Sequence, residues 1–198
     1  MSSFLIEKIQ KNINLINNIT DSTLLNDVFI SFRDKKDKKS ILFLIQNDKI
    51  PKSESFKLFK FILDNNFLDL FFELDYNKFD IHANNDYALR ISSEKNHIEL
   101  VKFLIENGAD IHADIDFPLK ISSEKNHTEL VKFLIEKGAN IYAYNNYALR
   151  ISSEKNHIEI VKILIEKGAY IHADNDYALK ISSEKNHIEI VKILTISM

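Results

Sequence analysis

The sequence contains no cysteine and no tryptophan, and its 198 residues include only 3 glycines and 2 prolines. The absence of cysteine excludes disulfide bonds, a thiolate nucleophile and a cysteine-based zinc site. So few turn-forming residues argue against collagen-like and low-complexity chains, and against a β-sandwich or barrel with many turns. The glycines also fall outside any Gly-x-Gly-x-x-Gly or Gly-Lys-Ser/Thr pattern, so no phosphate-binding loop is predicted.

The charge and the hydropathy pattern give no sign of a polyanionic or membrane partner. A formal net charge of -3 is too balanced to indicate binding of nucleic acid or of an anionic membrane. No apolar run reaches the roughly 18 residues of a membrane span, and residues 1–8 lack the charged and then apolar build of a signal peptide. We therefore expect a soluble cytoplasmic protein without nucleic-acid or membrane partners.

The abundant residues are Ile, Lys and Asn, with 30, 23 and 20 occurrences, and they recur with a period of 30 residues. The string Ile-Ser-Ser-Glu-Lys-Asn-His begins at Ile91, Ile121, Ile151 and Ile181. This step divides the C-terminal part of the chain into four copies, 81–110, 111–140, 141–170 and 171–198. Self-similarity of this length predicts a stack of repeats that forms one continuous solenoid.

The same period continues upstream in degenerate form. Shifting by 30 residues places Asn66 on Asn96 and Leu70 on Leu100, which predicts two degenerate copies within residues 21–80. Residues 1–20 are predicted as an N-terminal amphipathic helix, because the apolar residues of 2–18 fall on one face.

Each copy predicts two short helices followed by a glycine. In the first copy they span about 87–95 and 98–107, separated by Asn96, a residue that tolerates the left-handed conformation that ends a helix. All the glycines of the chain, Gly108, Gly138 and Gly168, directly follow a second helix, where a left-handed residue is needed. Because one helix pair cannot bury its own apolar face, we expect an all-α helical solenoid of about six pairs.

These copies resemble ankyrin repeats. Residues 117–123, Phe-Pro-Leu-Lys-Ile-Ser-Ser, take the place of the ankyrin block Thr-Pro-Leu-His-x-Ala-Ala, and Gly138-Ala139-Asn140 takes the place of its closing Gly-Ala-Asp. The resemblance is strong over 81–198 and weak over 21–80. Because the period is 30 residues and the ankyrin period is about 33, the resemblance implies hairpin fingers shortened to stubs.

A second departure concerns the threonine and histidine of the ankyrin block, which are both replaced, so their usual hydrogen bond cannot form. The threonine position holds Tyr87, Phe117, Tyr147 and Tyr177. The histidine position holds Arg90, Lys120, Arg150 and Lys180. The repeat length and the Ile, Lys and Asn bias also resemble the ankyrin arrays of giant DNA viruses of amoebae.

The family resemblance implies a protein partner that binds the concave surface, which is lined by the loop tips and first helices. The copies differ from one another mainly at these tips, where exposed aromatic and apolar residues are typical of interfaces. Drift at unconstrained loop positions explains the same variation equally well. The candidate partner-binding residues are Asn84, Asn85, Asp86, Asp114, Ile115, Asp116, Tyr142, Tyr144, Asn145, Asn146, Tyr170, Asp174, Asn175 and Asp176.

Catalytic, metal-binding and cofactor-binding residues are not predicted. The histidines form two columns, His82, His112 and His172 in the loops and His97, His127, His157 and His187 before the second helices. Members of a column are spaced by roughly 10 Å and the columns lie about 15 Å apart, too far to share one ion. The pairs Asp86–Arg90 and Asp116–Lys120 are interpreted as exposed ion pairs, and the basic run 33–39 as a solvated turn.

Two other functions stay open beside protein binding. One is a structural or self-associating module, since the last copy ends with apolar residues that a further repeat would cover, which predicts weak self-association through an uncapped C-terminus. The other is a ubiquitin-ligase adaptor, for which only residues 1–50 could serve as the recruiting segment.

Overall fold

The computed structural model describes residues 38–46, 50–75 and 77–196. The predicted N-terminal helix and most of the first degenerate copy lie outside these residues. The described residues divide into two compact units, with the boundary between Ala88 and Leu89. Among the described residues, no helix is both long and apolar enough to cross a bilayer.

The N-terminal unit contains helix α1, Lys38–Gln46, and helix α2, Ser55–Asp64, with 3-10 segments at Lys52–Glu54 and Leu68–Glu73. Helix α2 and the second 3-10 segment are joined by a turn in which Asn66 has φ 57°, the same left-handed conformation as Asn96. Their apolar faces meet at Phe59 and Phe71, whose ring centroids lie 5.4 Å apart. Residues 51–80 therefore keep the helix–turn–helix order of a repeat with a shortened second helix.

The C-terminal unit consists of regular helix pairs. Helix α3, Ala83–Glu94, contains the boundary between the units and is followed by α4, Ile98–Glu106. The remaining pairs are α5, Ala113–Glu124, with α6, Thr128–Glu136; α7, Ala143–Glu154, with α8, Ile158–Glu166; and α9, Ala173–Glu184, with α10, Ile188–Ile196. Helix α7 packs between α5 and α9, and α8 packs between α6 and α10, so first and second helices form two layers.

The core of this unit repeats with the sequence. Each second helix buries equivalent residues, such as Leu130, Val131 and Leu134 on α6, which are fully buried. Each first helix contributes small buried residues, such as Ser122 and Ser152, which allow adjacent first helices to approach closely. No strand occurs in the described part of the chain, and the predicted all-α repeat architecture is confirmed.

The helix ends agree with the prediction from the glycine positions. Gly108, Gly138 and Gly168 have φ of 98°, 100° and 88°, and each lies one residue beyond the C-cap of its second helix. Their backbone N–H groups close the last turn, as in the bond from Gly138 N to Ile135 O at 3.1 Å. This is the left-handed C′ position at which a residue without Cβ is favoured.

Candidate protein-binding site

Each loop tip consists of three consecutive residues in the left-handed helical region. In the second clear copy, Asp114, Ile115 and Asp116 have φ of 52°, 54° and 56°, and Asp116 N–H donates to His112 O at 3.1 Å. The triplets 84–86, 144–146 and 174–176 have the same geometry. The right-handed part of each first helix therefore begins at residues 87, 117, 147 and 177, where the sequence predicted it, and the left-handed turn occupies the place of the hairpin finger.

The third residue of the turn is buried in three of the four clear copies, which corrects part of the prediction, whereas Asp176 in the fourth copy is partly exposed. Asp86, Asp116 and Asn146 were predicted as partner contacts, but they are only 4%, 5% and 5% exposed. Asp116 is not an exposed partner of Lys120 either, because its Oδ1 lies 3.0 Å from His112 Nδ1 and accepts the N–H of Asn140 at 2.7 Å. Asp116 and Asn146 link successive copies, because each accepts a backbone N–H at the junction with the next copy, and none of the three buried side chains is accessible to another protein.

This buried position varies together with the residue four places before it. His82 and His112 each lie 3.0 Å from the buried carboxylate of Asp86 and Asp116, respectively. In the third clear copy both members of the pair change, to Tyr142 and Asn146. Asn146 Oδ1 still accepts the N–H of the next copy, from Tyr170 at 2.8 Å, so the neutral amide keeps the link between repeats where the histidine is missing.

The first two residues of each turn are exposed, as predicted. We define the loop-tip face as the exposed residues of the turns 114–116, 144–146 and 174–176 together with Tyr142 and Tyr170. It contains four large exposed side chains: Ile115 is 59% exposed, Tyr142 55%, Tyr144 46% and Tyr170 57%. They are four of the seven large hydrophobic side chains that are strongly exposed in the described part of the chain. The face therefore presents an aromatic and apolar surface at the tips of two adjacent copies.

Tyr142 and Tyr170 belong to successive loops that approach each other. The Tyr142 hydroxyl lies 3.6 Å from the position that a Cβ on Gly168 would occupy, two residues before Tyr170. The Tyr170 ring packs edge-on against His172, with centroids 5.6 Å apart. The sequence alone identified these tyrosines but not the close approach of the two loops.

A ladder of alternating cations and aromatic rings lies beside the loop-tip face, and the sequence analysis did not predict it. Arg90 stacks over Phe117 at 5.7 Å, Lys120 lies 5.2 Å from the Tyr147 ring, and Arg150 lies 5.3 Å from the Tyr177 ring. Each cation therefore contacts the aromatic residue of the next copy. The residues at the threonine and histidine positions of the ankyrin block therefore form cation–π contacts between adjacent copies.

Arg150 also stabilises the left-handed turn. Its Nε donates to Asn145 O at 3.1 Å and its Nη2 to Tyr144 O at 3.2 Å, while Nη1 donates to Asp174 of the next copy at 2.6 Å. A planar guanidinium can serve three acceptors at once. This side chain thus fixes the backbone that presents Tyr144.

Carboxylates accept hydrogen bonds from the hydroxyl groups of the ladder tyrosines. Glu154 accepts hydrogen bonds from Tyr177 Oη at 3.2 Å and from Lys185 Nζ at 3.0 Å. The hydrogen bond from Lys185 holds the pKa of Glu154 below its usual value. Burial and the Glu154 charge raise the pKa of Tyr177, and burial and Glu124 do the same for Tyr147. These phenols therefore act as neutral donors.

The second histidine column links adjacent copies. Nδ1–H of His127, His157 and His187 donates to the carbonyl oxygens of Ser93, Ser123 and Ser153 at 3.1, 2.9 and 2.9 Å. Burial is the main cause that lowers the pKa of His97 and of His127. Within the described residues, no three His, Asp or Glu side chains converge as metal ligands do.

The exposed surface of the second helices carries many charged side chains, and several of them form lysine–glutamate pairs. Lys132 pairs with Glu159 at 3.5 Å, and Lys162 pairs with Glu189 at 3.0 Å, each across two adjacent copies. Most of these side chains are about half exposed. This pattern is typical of a solvated face and contrasts with the apolar loop tips.

Comparison with protein families identifies the repeat. The family model described as ankyrin repeats in three copies matches residues 16–145, and the single ankyrin-repeat model matches residues 144–176. The chain belongs to the ankyrin-repeat family. Ankyrin repeats are protein–protein interaction modules, and ankyrin proteins are typically scaffolds without catalysis. A comparison with curated proteins gave no match.

Proposed function

We propose that this ankyrin-repeat protein is a non-enzymatic scaffold that binds a protein partner through its loop-tip face. The observation that carries the proposal is the contrast between the two faces. Ile115, Tyr142, Tyr144 and Tyr170 are each 46–59% exposed, whereas the second helices α6 and α8 expose lysine–glutamate pairs. Aromatic side chains with large exposed area are enriched in protein interfaces.

Backbone strain at the same residues supports this assignment. Ile115 and Tyr144 have φ of 54° and 48°, a region in which a β-branched or bulky residue is an outlier. Core packing does not offset this strain, because both side chains are exposed. Strained residues that do not serve stability occur preferentially at binding sites.

Affinity capture with paired variants tests the proposal. The whole chain, immobilised in its natural form, is compared with the double variant Ile115→Ser, Tyr144→Ala and with Glu129→Ala on the second-helix face. We expect the loop-tip variant to lose the captured protein while its circular dichroism spectrum is unchanged, and Glu129→Ala to retain it. Equal loss from both variants would place the interface elsewhere.

We further propose that the protein is viral, acts in the host cytoplasm and binds a host protein. The supporting features are the repeat length of 30 residues and the abundance of Ile, Lys and Asn, which resemble the ankyrin arrays of giant amoebal viruses. Capture from amoebal lysate and from bacterial lysate in parallel tests this point. A partner recovered only from the amoebal lysate supports it, and a partner recovered equally from both opposes it.

Self-association is a second candidate, and exposed residues of helix α10 favour it. Ile188 is 58% and Ile196 85% exposed, although Ile190 and Leu194 on the same helix are buried. Association through these residues should increase with concentration. Light scattering of Ile188→Ser, Ile196→Ser beside the unchanged chain tests it, and equal masses at all concentrations would oppose it.

A further inference from the structure

One cation of the ladder differs from its two neighbours in its electrostatic environment. Arg90 pairs with Asp114 at 3.5 Å, and Arg150 pairs with Asp174 at 2.6 Å. By the repeat period, the equivalent partner of Lys120 is position 144, which holds a tyrosine. In the part of the chain that the structure describes, Lys120 forms no ion pair.

The ammonium group of Lys120 is held in place by aromatic rings instead. Its Nζ lies 5.0 Å from the centroid of Tyr144, 5.2 Å from that of Tyr147 and 5.9 Å from that of Phe117. Ring faces attract a cation but accept none of its three N–H donors as a carboxylate would. The group is therefore positioned but still able to bind an anionic acceptor.

Lys120 lies at the rim of a small surface depression. An open, shallow recess between the second and third clear copies is lined by Lys120, Tyr144, Tyr147 and Asn140. Asp116 also contributes to the lining, but its Oδ1 is already engaged by His112 and Asn140. A group that enters the recess meets a lysine cation and the exposed ring of Tyr144.

We propose that Lys120 and Tyr144 form a subsite for one carboxylate side chain of the protein partner. This inference rests on the proposed function and adds a specificity to it: the partner presents a Glu or Asp next to apolar residues that contact the Tyr144 ring and Ile115. Arg90 and Arg150 in the neighbouring copies are paired with carboxylates of the chain itself, whereas the acid that pairs with Lys120 has to come from outside. A polyanion such as nucleic acid fits poorly, because Arg90 and Arg150 are already paired with Asp114 and Asp174 and only one cation of the ladder is left for an external anion.

The test uses random peptides displayed on phage and selected on the whole chain. We expect the selected peptides to be enriched in Asp or Glu beside apolar residues. The tightest peptide and its amide version, with Glu→Gln or Asp→Asn, are then titrated calorimetrically into the unchanged chain and into Lys120→Met. We expect Lys120→Met to weaken the acidic peptide about tenfold, the factor that corresponds to 1.4 kcal/mol, and to leave the amide version nearly unchanged.

Two further variants make the test specific. Tyr144→Asp restores the internal carboxylate of the neighbouring copies but also removes the Tyr144 ring, so it should weaken the acidic peptide by about tenfold more than the amide version. Lys162→Met removes a paired lysine from the second-helix face and should change nothing. Thermal melts of all variants identify any loss of folding, and the amide peptide reports whether the surface itself is intact.

The outcomes separate this inference from the proposed function. Peptides that bind and are weakened by Ile115→Ser, but bind equally to the unchanged chain and to Lys120→Met, would overturn the carboxylate subsite and leave the loop-tip interface standing. Peptides weakened only by Lys162→Met, or the recovery of no binding peptide, would count against both. A single-stranded oligonucleotide that binds in a Lys120-dependent manner and displaces the peptides would also overturn the inference.

Discussion

Ile115 offers the sharpest test of the left-handed turns. It occupies the second position of its turn with φ 54° and ψ 63°, where the other three clear copies have Asn85, Asn145 and Asn175. A left-handed conformation costs an L-residue about 1–2 kcal/mol, and Asn avoids part of this penalty. Since the Ile115 side chain is 59% exposed, little burial is lost on replacement. We therefore expect Ile115→Asn to raise the free energy of unfolding by about 1 kcal/mol.

Urea unfolding of the whole chain, followed by circular dichroism, measures this difference. In a thermal scan followed by the same signal, a gain of about 1 kcal/mol should raise the melting temperature by about 2–4 °C for a chain of this size. Asn145→Ile is the matched control, because it introduces the same strain at the equivalent exposed position and should lower stability by a similar amount. If Ile115→Asn does not stabilise the protein, or if Asn145→Ile leaves its stability unchanged, the left-handed conformation assigned to these turns is wrong.

Three further predictions concern stability. Gly138→Ala should lower the free energy of unfolding by about 1 kcal/mol, because Gly138 has φ 100°, a conformation that is strained for alanine. A steric clash does not contribute, since no atom lies within 4 Å of the new Cβ. An unchanged urea midpoint would contradict the helix-end assignment. Asn146→Asp should lower the free energy of unfolding by more than about 1 kcal/mol because it buries an unpaired charge. Adding Tyr142→His should recover most of this loss. Strictly additive effects of the two substitutions on the free energy of unfolding would refute the pairing. Burial lowers the pKa of His127 below 6.5 in the folded chain, so protonation of this imidazole favours unfolding. The contribution of His127 to the free energy of unfolding should therefore be constant above pH 6.5 and fall below it. His127→Gln should reduce this pH dependence, and an NMR titration midpoint of His127 above 6.5 would contradict it.

The regular features of the fold were predictable because each depends on a local signal. The period located the copies, and the apolar spacing located the second helices. Gly138 marked a helix end because only glycine adopts its conformation freely, and Asn96 marked the turn between helices. All of these signals act over a few residues along the chain.

Contacts between copies were not predictable in the same way. Arg90 stacks on the ring of Phe117, 27 residues later in the chain, and His157 donates to the carbonyl oxygen of Ser123, 34 residues earlier. An alignment of the copies shows which residues occupy equivalent positions but not which of them are in contact. Asp116 was assigned to the surface because aspartate at a loop tip is usually solvated. It is buried because the left-handed turn points its third side chain at the next copy. The run of Asn and Asp at these tips was the available signal, since both residues tolerate the left-handed region.

Site-specific photo-crosslinking tests the central claim, binding through the loop-tip face, most directly. A benzophenone amino acid replaces Tyr144 in one protein and Lys132, on the second-helix face, in another, and each is irradiated in cells that contain the partner. We expect a covalent adduct with one partner protein from position 144 and none from position 132. An adduct from position 132 without one from position 144 would contradict the proposed interface.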